Sequence, residues 1–239
     1  MYKTTNGLYP PDDNIIVWRY IDFTKFVDLL NSQTIYFTRA DKFEDPYEGL
    51  YPVKDVIDKE FKNYDVVRKQ TYVSCWSMGE NESAALWKIY SDSKNSIAIQ
   101  STFGQLKASI EKCEHDVYAS VVRYKDYNKT DYFGIVNENI WAPAHRGATV
   151  FPIIYKRVSF AFENELRLIY VKAPVRIDIN ESSLELGKRI KIDLEQLIYK
   201  LHLSPYSDEW FRNLVLGLLD KYNLGHKEVI KSDLFTGLK

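Results

Sequence analysis

Residues 14–38, NIIVWRYIDFTKFVDLLNSQTIYFT, predict a strand, a helix and a second strand in direct succession. The first seven are mainly β-branched or aromatic, as is typical of strands. Asp22 then suits the N-cap of a helix, because the apolar residues that follow it recur at helical spacing. Residues 34–38, TIYFT, again favour a strand. The stretch therefore predicts short strands and helices that follow one another closely.

Outward from this stretch, strands and helices alternate irregularly. Further strands are predicted at 71–77, 95–101, 117–124, 165–171, 189–192, 198–203 and 228–231, and further helices at 53–68, 82–90, 105–112, 147–158 and 207–222. Residues 125–147 are polar and aromatic without a period, which predicts a long loop. Gly225 is expected to stop the last helix. The order predicts an α+β fold, in which a mixed or mostly antiparallel central sheet is flanked by helices.

Length and composition bound the class of protein. A length of 239 residues predicts one domain over 1–239, since a single hydrophobic core stops growing near ~250 residues. The 32 basic and 33 acidic side chains nearly cancel, so no general attraction to nucleic acid or to an anionic membrane is expected. Two cysteines without metal-binding spacing, and the lack of a signal peptide or an apolar membrane-length run, predict a cytoplasmic protein with no membrane partner.

Candidate site residues come from charges in unusual places, because the sequence contains no common nucleotide-binding, hydrolase or metalloprotease motif. Arg19 lies between Trp18 and Tyr20 in the first predicted strand. It either faces solvent or holds a phosphate or carboxylate in a bidentate fork. Asp45 and Glu48 belong to an acidic turn around a proline. That turn is either a solvated connector or a loop that directs both carboxylates into a cleft.

A third unusual place is the segment FAFENELRL at residues 160–168. Glu163, Glu165 and Arg167 alternate there and are predicted to share one face of a strand. Two carboxylates on one face repel each other unless a cation or a substrate lies between them. The structural alternative is that Glu165 pairs with Arg19 or Arg167 on a polar sheet face.

Six short elements occur in a definite order along the chain. They are WRY at 18–20, IYF at 35–37, FEDPYE at 43–48, CWS at 75–77, LWKIY at 86–90 and FAFENELR at 160–167. As an ordered set they resemble the bacterial domain of unknown function family 2971. The resemblance covers nearly the whole chain, including LSP at 203–205 and Ser232. It implies a bacterial protein in the company of defence and mobile-element genes, and it implies no established activity.

The order of an early arginine, a serine on a middle strand and Glu-x-Glu on a late strand also looks like the arginine–serine–glutamate class of ADP-ribosyltransferases. This resemblance implies that Arg19 binds the phosphates of NAD, and that Ser74 or Ser77 braces the nicotinamide ribose. It further implies that Glu165 stabilises the cationic ribose, while Glu163 selects or deprotonates the acceptor. The remaining residues expected to line the pocket are Tyr20, Asp45, Glu48, Trp87, Tyr90 and Arg167.

The resemblances predict an ADP-ribosyltransferase-like protein of a bacterial phage-defence or toxin-type system. NAD would be its substrate, no metal would be needed, and the acceptor would be a protein or a nucleic acid. One alternative is a metal-dependent nuclease or phosphodiesterase, in which Asp45, Glu48, Glu163 and Glu165 gather a divalent cation. Another alternative is a non-catalytic binding or sensor protein that works with a partner encoded in the same operon.

Overall fold

The computed structural model describes residues 1–49, 66–90, 94–127, 151–172 and 184–235. Strands in these ranges are β1 (Ile16–Asp22), β2 (Thr34–Arg39), β3 (Thr71–Met78), β4 (Ser96–Thr102), β5 (Val117–Val121), β6 (Arg123–Lys125), β7 (Tyr155–Arg157), β8 (Glu165–Val171), β9 (Gly187–Lys191), β10 (Lys200–Leu203) and β11 (Glu228–Lys231). The α-helices are α1 (Phe23–Ser32), α2 (Ala84–Tyr90), α3 (Phe103–Ser109), α4 (Leu194–Leu197) and α5 (Glu209–Lys221). Three 3₁₀ helices are η1 (Ala40–Lys42), η2 (Phe151–Ile154) and η3 (Val158–Glu163).

The predicted α+β class is confirmed, because the strands form a mainly antiparallel sheet with flanking helices. The chain divides into two compact units, each assembled from three segments of sequence. Unit 1 comprises Met1–Pro11, Tyr36–Cys75 and Cys113–Ile190, and unit 2 comprises Asp12–Ile35, Trp76–Lys112 and Lys191–Lys239. The prediction of a single domain over 1–239 stays a prediction. Among the described residues, no helix is both long enough and apolar enough to cross a membrane.

In unit 2 the strands follow the order β11, β10, β4, β1 and the end of β3. The longest ladder is antiparallel and joins β1 to β4, from Ile16 opposite Thr102 to Asp22 opposite Ser96. Asp22 ends β1 and caps α1 as predicted, since its side chain accepts a hydrogen bond from the backbone N–H of Lys25 at 2.8 Å. The sheet and the helices that follow it bury the apolar core of this unit.

In unit 1 the order is β9, β2, β3, β8 and β5, and β6 and β7 form a separate parallel pair. The antiparallel ladder between β5 and β8 runs from Val117 opposite Tyr170 to Val121 opposite Leu166. A cluster of buried apolar side chains fills the interior, namely Leu8, Ala40, Val73, Ile153, Ile154, Tyr155 and Ile169. The first five residues of β8 are buried even though two of them are charged. This strand therefore carries charge into the interior of the unit.

Two predicted elements are wrong where the structure describes them. Residues 151–158 do not continue a helix, because η2 is followed at once by β7, which pairs with β6. Pro152 lacks the N–H that a helix would need there. The last helix ends at Lys221, and the left-handed residue after it is Asn223, with φ at 60°, rather than Gly225. Most of the helix predicted at 53–68 and of the loop predicted at 125–147 lies outside the described residues.

Candidate functional site

Five charged side chains of unit 1 meet in its interior: Glu48, Lys156, Glu163, Glu165 and Arg167. We call them the charge cluster. None of these five residues is more than 6% exposed. Charged side chains are almost never buried to this degree unless they are paired, and removing one partner of a buried pair is costly. The charge cluster is therefore a fixed arrangement that the surrounding fold must maintain.

Lys156, from β7, lies at the centre of the charge cluster. Its Nζ donates a hydrogen bond to Glu165 Oε1 at 2.7 Å and another to Glu163 Oε2, and it lies 3.2 Å from Glu48 Oε1. An ammonium group has three donors, so three carboxylates can use all of them. Burial alone would lower the pKa of Lys156, but the charges of Glu165 and Glu48 outweigh burial and raise that pKa. Lys156 therefore stays charged.

Arg167, from β8, is the second cation. Its Nε donates to Glu165 Oε2 at 2.8 Å, its Nη2 donates to Glu48 Oε2, and its Nη1 donates to the carbonyl oxygen of Ile153 at 2.7 Å. Burial disfavours the charged guanidinium, but Glu165 and Glu48 raise the pKa of Arg167 well above its ordinary value. Arg167 Nη2 also donates to Glu165 Oε1 at 3.2 Å, so Glu165 is held by Lys156 on one oxygen and by Arg167 on both.

Glu163 and Glu165 reach the charge cluster from different elements. Glu165 is the first residue of β8, as predicted, whereas Glu163 is the last residue of η3. Asn164 between them has the left-handed conformation, with φ at 43°, and this breaks the strand alternation. The prediction that Glu163 shares a strand face with Glu165 and Arg167 is therefore wrong. A cation does lie between the two carboxylates, and it is Lys156.

The two carboxyl groups have pKa values that are displaced in opposite directions. Burial, together with a hydrogen bond to Glu165, raises the pKa of Glu163 from its ordinary 4.5 to about 7, although Lys156 opposes this shift. Burial would also raise the pKa of Glu165, but the charge of Arg167 and a hydrogen bond from Glu163 hold it well below its ordinary value. Near neutral pH, Glu163 can therefore hold or release a proton while Glu165 stays ionised.

The acidic turn is bound to unit 1 and is not a solvated connector. Asp45 is buried and accepts two hydrogen bonds from Arg157, from Nε and from Nη2, each at 3.0 Å. It also accepts one from the backbone N–H of Tyr47 at 3.1 Å. Glu48 is held by Arg167 and Lys156. Both carboxylates of the turn therefore lie inside unit 1, and that they line a cleft stays a prediction.

Lys156 and Arg157 are functional candidates that the sequence pattern does not indicate, because that pattern predicts a helix at 147–158. The run of apolar residues at 153–155, followed at once by two basic residues, was the signal that could have found them.

Cys75 from β3 is close enough to the charge cluster to be affected by its charges. Burial, with the carboxylate of Glu165, raises the pKa of the Cys75 thiol well above its ordinary value, so this thiol stays protonated.

The other predicted site residues belong partly to unit 1 and partly to unit 2. Ser74 is buried in unit 1, whereas Arg19, Ser77, Tyr20, Trp87 and Tyr90 belong to unit 2. The guanidinium of Arg19 lies 5.6 Å from the centre of the Trp76 ring, and Ser77 is opposite Trp18 in the ladder between β1 and β3. That Arg19 and Ser77 converge with Glu165 on one pocket stays a prediction.

Tyr20 and Trp87 are core residues of unit 2, in contrast to Tyr90, which is exposed. Their rings meet edge to face with centres 5.1 Å apart. The Tyr20 hydroxyl accepts a hydrogen bond from the backbone N–H of Ser83 at 2.8 Å. Burial raises the pKa of Tyr20 to about 12. Both side chains are thus engaged in packing, which leaves Tyr90 as the accessible aromatic residue among the three.

A second polar cluster lies in unit 2, around Glu82. Its Oε2 accepts a hydrogen bond from Trp87 Nε1 at 2.7 Å, and its Oε1 contacts His202 Nδ1 at 3.1 Å. The other ring nitrogen of His202 contacts Gln100 Oε1, also at 3.1 Å. Burial would raise the pKa of Glu82, but hydrogen bonds from His202, Ser232 and Trp87 lower it. This cluster connects the segment before α2 with β4 and β10.

Unit 2 also contains an open cavity of about 540 Å³. Its described lining comprises Gln33, Ser109, Lys112, Lys191, Ile192, Asp193, Leu194, Glu195, Tyr222, Asn223 and Leu224. None of these is a predicted site residue. Among the described residues, no group of three or more His, Cys, Asp or Glu side chains has an arrangement that could hold a metal ion.

Comparison of the sequence with protein-family models finds no match. Comparison with curated proteins finds no relative at a significant level. The resemblances to family 2971 and to the arginine–serine–glutamate transferases therefore stay predictions, and the function must be argued from the site.

Proposed function

We propose that Glu163 and Glu165 form the acid–base centre of an enzyme that cleaves the N-glycosidic bond of NAD and transfers the ADP-ribosyl group to an acceptor. One observation carries this proposal: two carboxyl groups bound to one lysine ammonium have pKa values displaced in opposite directions. Such a separation is how paired carboxyl groups take different roles in one reaction.

Glu165 supplies the negative charge in the proposed reaction. Release of nicotinamide builds positive charge on the ribose, and a fixed carboxylate lowers that barrier electrostatically. Because the pKa of Glu165 is held well below its ordinary value, this carboxylate is ionised throughout the physiological pH range. Lys156 and Arg167 hold its two oxygens in place. In the transition state, Glu165 would contact the ribose cation in addition to Lys156 and Arg167.

Glu163 supplies the proton transfer. A general base works best when its pKa is close to the operating pH, and the pKa of Glu163 is about 7. It would remove the proton from the attacking hydroxyl or amine of the acceptor and pass it to solvent as the product leaves. Both carboxyl groups are buried, so substrate binding requires some of the surrounding side chains to move.

The contacts of the charge cluster disfavour a metal-dependent nuclease. Lys156 Nζ lies at the point among Glu48, Glu163 and Glu165 that a divalent cation would need. Asp45, the fourth proposed ligand, is paired with Arg157.

The second candidate function is a non-catalytic binding or sensor role. It is favoured by the observation that each charge in the cluster is buried and paired. The resemblance to family 2971 supports a setting in bacterial defence for either candidate.

The test is incubation of the purified protein with NAD, with and without cell lysate or nucleic acid as a source of acceptor. Nicotinamide release and transfer of labelled ADP-ribose are followed by mass spectrometry. Glu165→Gln is expected to abolish nicotinamide release, because the amide keeps the volume and loses the charge. Glu163→Gln is expected to remove the rise in transfer rate through pH 7.

The matched control is Asp41→Asn. Asp41 is a half-buried carboxylate of unit 1 that pairs with Arg39 at 2.6 Å, outside the charge cluster, so the loss of its charge should leave turnover unchanged. Absence of turnover with every acceptor, together with no NAD-dependent shift in melting temperature, would refute the proposed transferase activity. The non-catalytic binding role would then be the better-supported candidate.

A further inference from the structure

Arg157 is held in a fixed position at the edge of the charge cluster. It follows Lys156 in β7, but its side chain is 38% exposed. Asp45 accepts from its Nε and its Nη2, each at 3.0 Å, which fixes the plane of the guanidinium. The rings of Tyr47 and Phe160 lie 4.9 Å and 5.4 Å from its central carbon. These contacts hold the guanidinium in one orientation at the surface of unit 1.

Part of the hydrogen-bonding capacity of Arg157 is not used by the residues that the structure describes. A guanidinium has five N–H donors, and Asp45 accepts from the edge formed by Nε and Nη2. Among the described residues, none accepts a hydrogen bond from Nη1. The edge of the fork that includes Nη1 is therefore available to an acceptor from outside the described chain.

Tyr127 supplies a second polar atom without a described partner. Its hydroxyl oxygen is buried and makes no hydrogen bond to any described residue. Burial raises the pKa of Tyr127, and the charges of Asp45 and Arg157 are among those that act on it. Its ring meets the Tyr47 ring edge to face, with centres 6.2 Å apart. A buried hydroxyl without a partner is costly, so an acceptor at this place would relieve that cost.

We infer that Arg157, Tyr127 and Tyr47 form a binding subsite for a nucleoside diphosphate. The guanidinium and the phenol are donors suited to phosphate oxygens, and the fork of arginine matches phosphate geometry. Tyr47, which is 51% exposed as a residue, offers an aromatic ring to a base or a nicotinamide ring. The inference rests on the proposed function for the identity of the nucleotide, since the ADP-ribosyl part of NAD carries such a diphosphate.

The subsite is tested by isothermal titration calorimetry with ADP-ribose, which lacks the bond that the enzyme would cleave. Arg157→Lys keeps a cation beside Asp45 and loses the fork, so it should weaken binding by about 10- to 100-fold. Tyr127→Phe removes one hydroxyl that has no described partner. It should weaken binding by about 5- to 10-fold while the melting temperature stays the same or rises.

Arg212→Lys is the control, because Arg212 is 42% exposed and pairs only loosely with Glu209 at 3.6 Å on α5. It should bind ADP-ribose like the wild type. Loss of affinity in Arg157→Lys and Tyr127→Phe without NAD turnover in the wild type would support the subsite and refute the proposed function. Wild-type affinity in both variants, or no binding by the wild type, would overturn the subsite even if nicotinamide is released. Equal affinity for inorganic pyrophosphate would overturn the nucleoside part of the inference.

Discussion

Lys156 Nζ lies 2.7 Å from Glu165 Oε1, in the interior of unit 1, where both side chains are almost fully buried. Lys156→Met would leave three buried carboxylates with Arg167 as their remaining cation in the cluster. Breaking a buried ion pair by removing one partner costs about 3–5 kcal/mol, and we expect a loss of that size in the free energy of unfolding. The measurement is urea denaturation near pH 8, where Glu163 is largely ionised.

Lys25→Met is the control for this prediction. Lys25 is exposed and pairs with Asp22 at 2.8 Å, so its loss should cost about 1 kcal/mol or less. The double variant Lys156→Met with Glu163→Gln should recover part of the stability, because one of the three buried carboxylates is then neutral. Equal effects of Lys156→Met and Lys25→Met would show that Lys156 does not neutralise the buried carboxylates.

Stability should depend on pH through Glu163. Its pKa is about 7 in the folded protein and near 4.5 when unfolded, so the folded state binds more protons between these values. The free energy of unfolding therefore falls as pH rises through this window, by at most about 1.4 kcal/mol per pH unit from this group, and levels off above pH 7. Glu163→Gln cannot titrate, so its stability should fall less between pH 5 and pH 8.

Asp41→Asn is the control for this pH dependence, because the pKa of Asp41 is lowered whereas that of Glu163 is raised. Burial would raise the pKa of Asp41, but the hydrogen bond and charge of Arg39 lower it, so its contribution to stability is lost only at acidic pH. The slope between pH 5 and pH 8 should then match that of the wild type. A wild-type slope that persists in Glu163→Gln would mean that another group carries the proton.

The acidic turn should be held in place by Asp45. Asp45→Asn removes the charge that binds both donors of Arg157, and we expect a loss of about 1–3 kcal/mol because the hydrogen bonds are charge-assisted. Glu44→Gln, at the exposed neighbouring position, should change stability by less than about 0.5 kcal/mol. Urea denaturation of both variants makes the comparison. A loss of stability as small as that of Glu44→Gln would show that Asp45 does not hold the turn in place and that the turn is a connector.

Glu82 should stabilise unit 2. Glu82→Gln exchanges a carboxylate that binds Trp87 Nε1 and His202 for an amide that has one fewer acceptor, so we expect a loss of about 2–3 kcal/mol at neutral pH. The pKa of Glu82 is lowered, so its contribution is present at neutral pH and is lost as pH falls through the folded pKa. Glu209→Gln, at an exposed position on α5, is the control and should have almost no effect. Thermal unfolding at pH 7 and pH 4 would test both statements.

Arg19→Ala should weaken NAD binding if the resemblance to the transferases assigns this residue correctly. Loss of a phosphate-binding fork should cost about tenfold or more in affinity, measured by calorimetry with NAD. Arg212→Ala, an exposed arginine of the same unit, is the matched control. Unchanged affinity in Arg19→Ala would show that Arg19 does not bind NAD. It would not contradict the proposal that Glu163 and Glu165 form the acid–base centre.

Local structure could be predicted from the residues, because its causes lie within a few positions along the chain. The pattern in residues 14–38 predicted β1, α1 and β2 together with the cap at Asp22, and the bounds predicted for the last strand agree with those of β11. Side-chain periodicity and capping act over one or two turns, so a single sequence contains them. The unusual charges Asp45, Glu48 and Glu165 were recognised for the same reason, since charge inside an apolar or turn segment is a local signal.

The partners of those charges could not be predicted, because they are set by packing between distant segments. Asp45 is bound by Arg157, 112 residues away, and Glu48 by Arg167, 119 residues away. Which cation neutralises which buried carboxylate depends on how β7, β8 and the acidic turn pack, and no spacing in the sequence encodes that. The raised pKa of Glu163 has the same origin, because burial and the neighbouring carboxylate exist only in the folded chain.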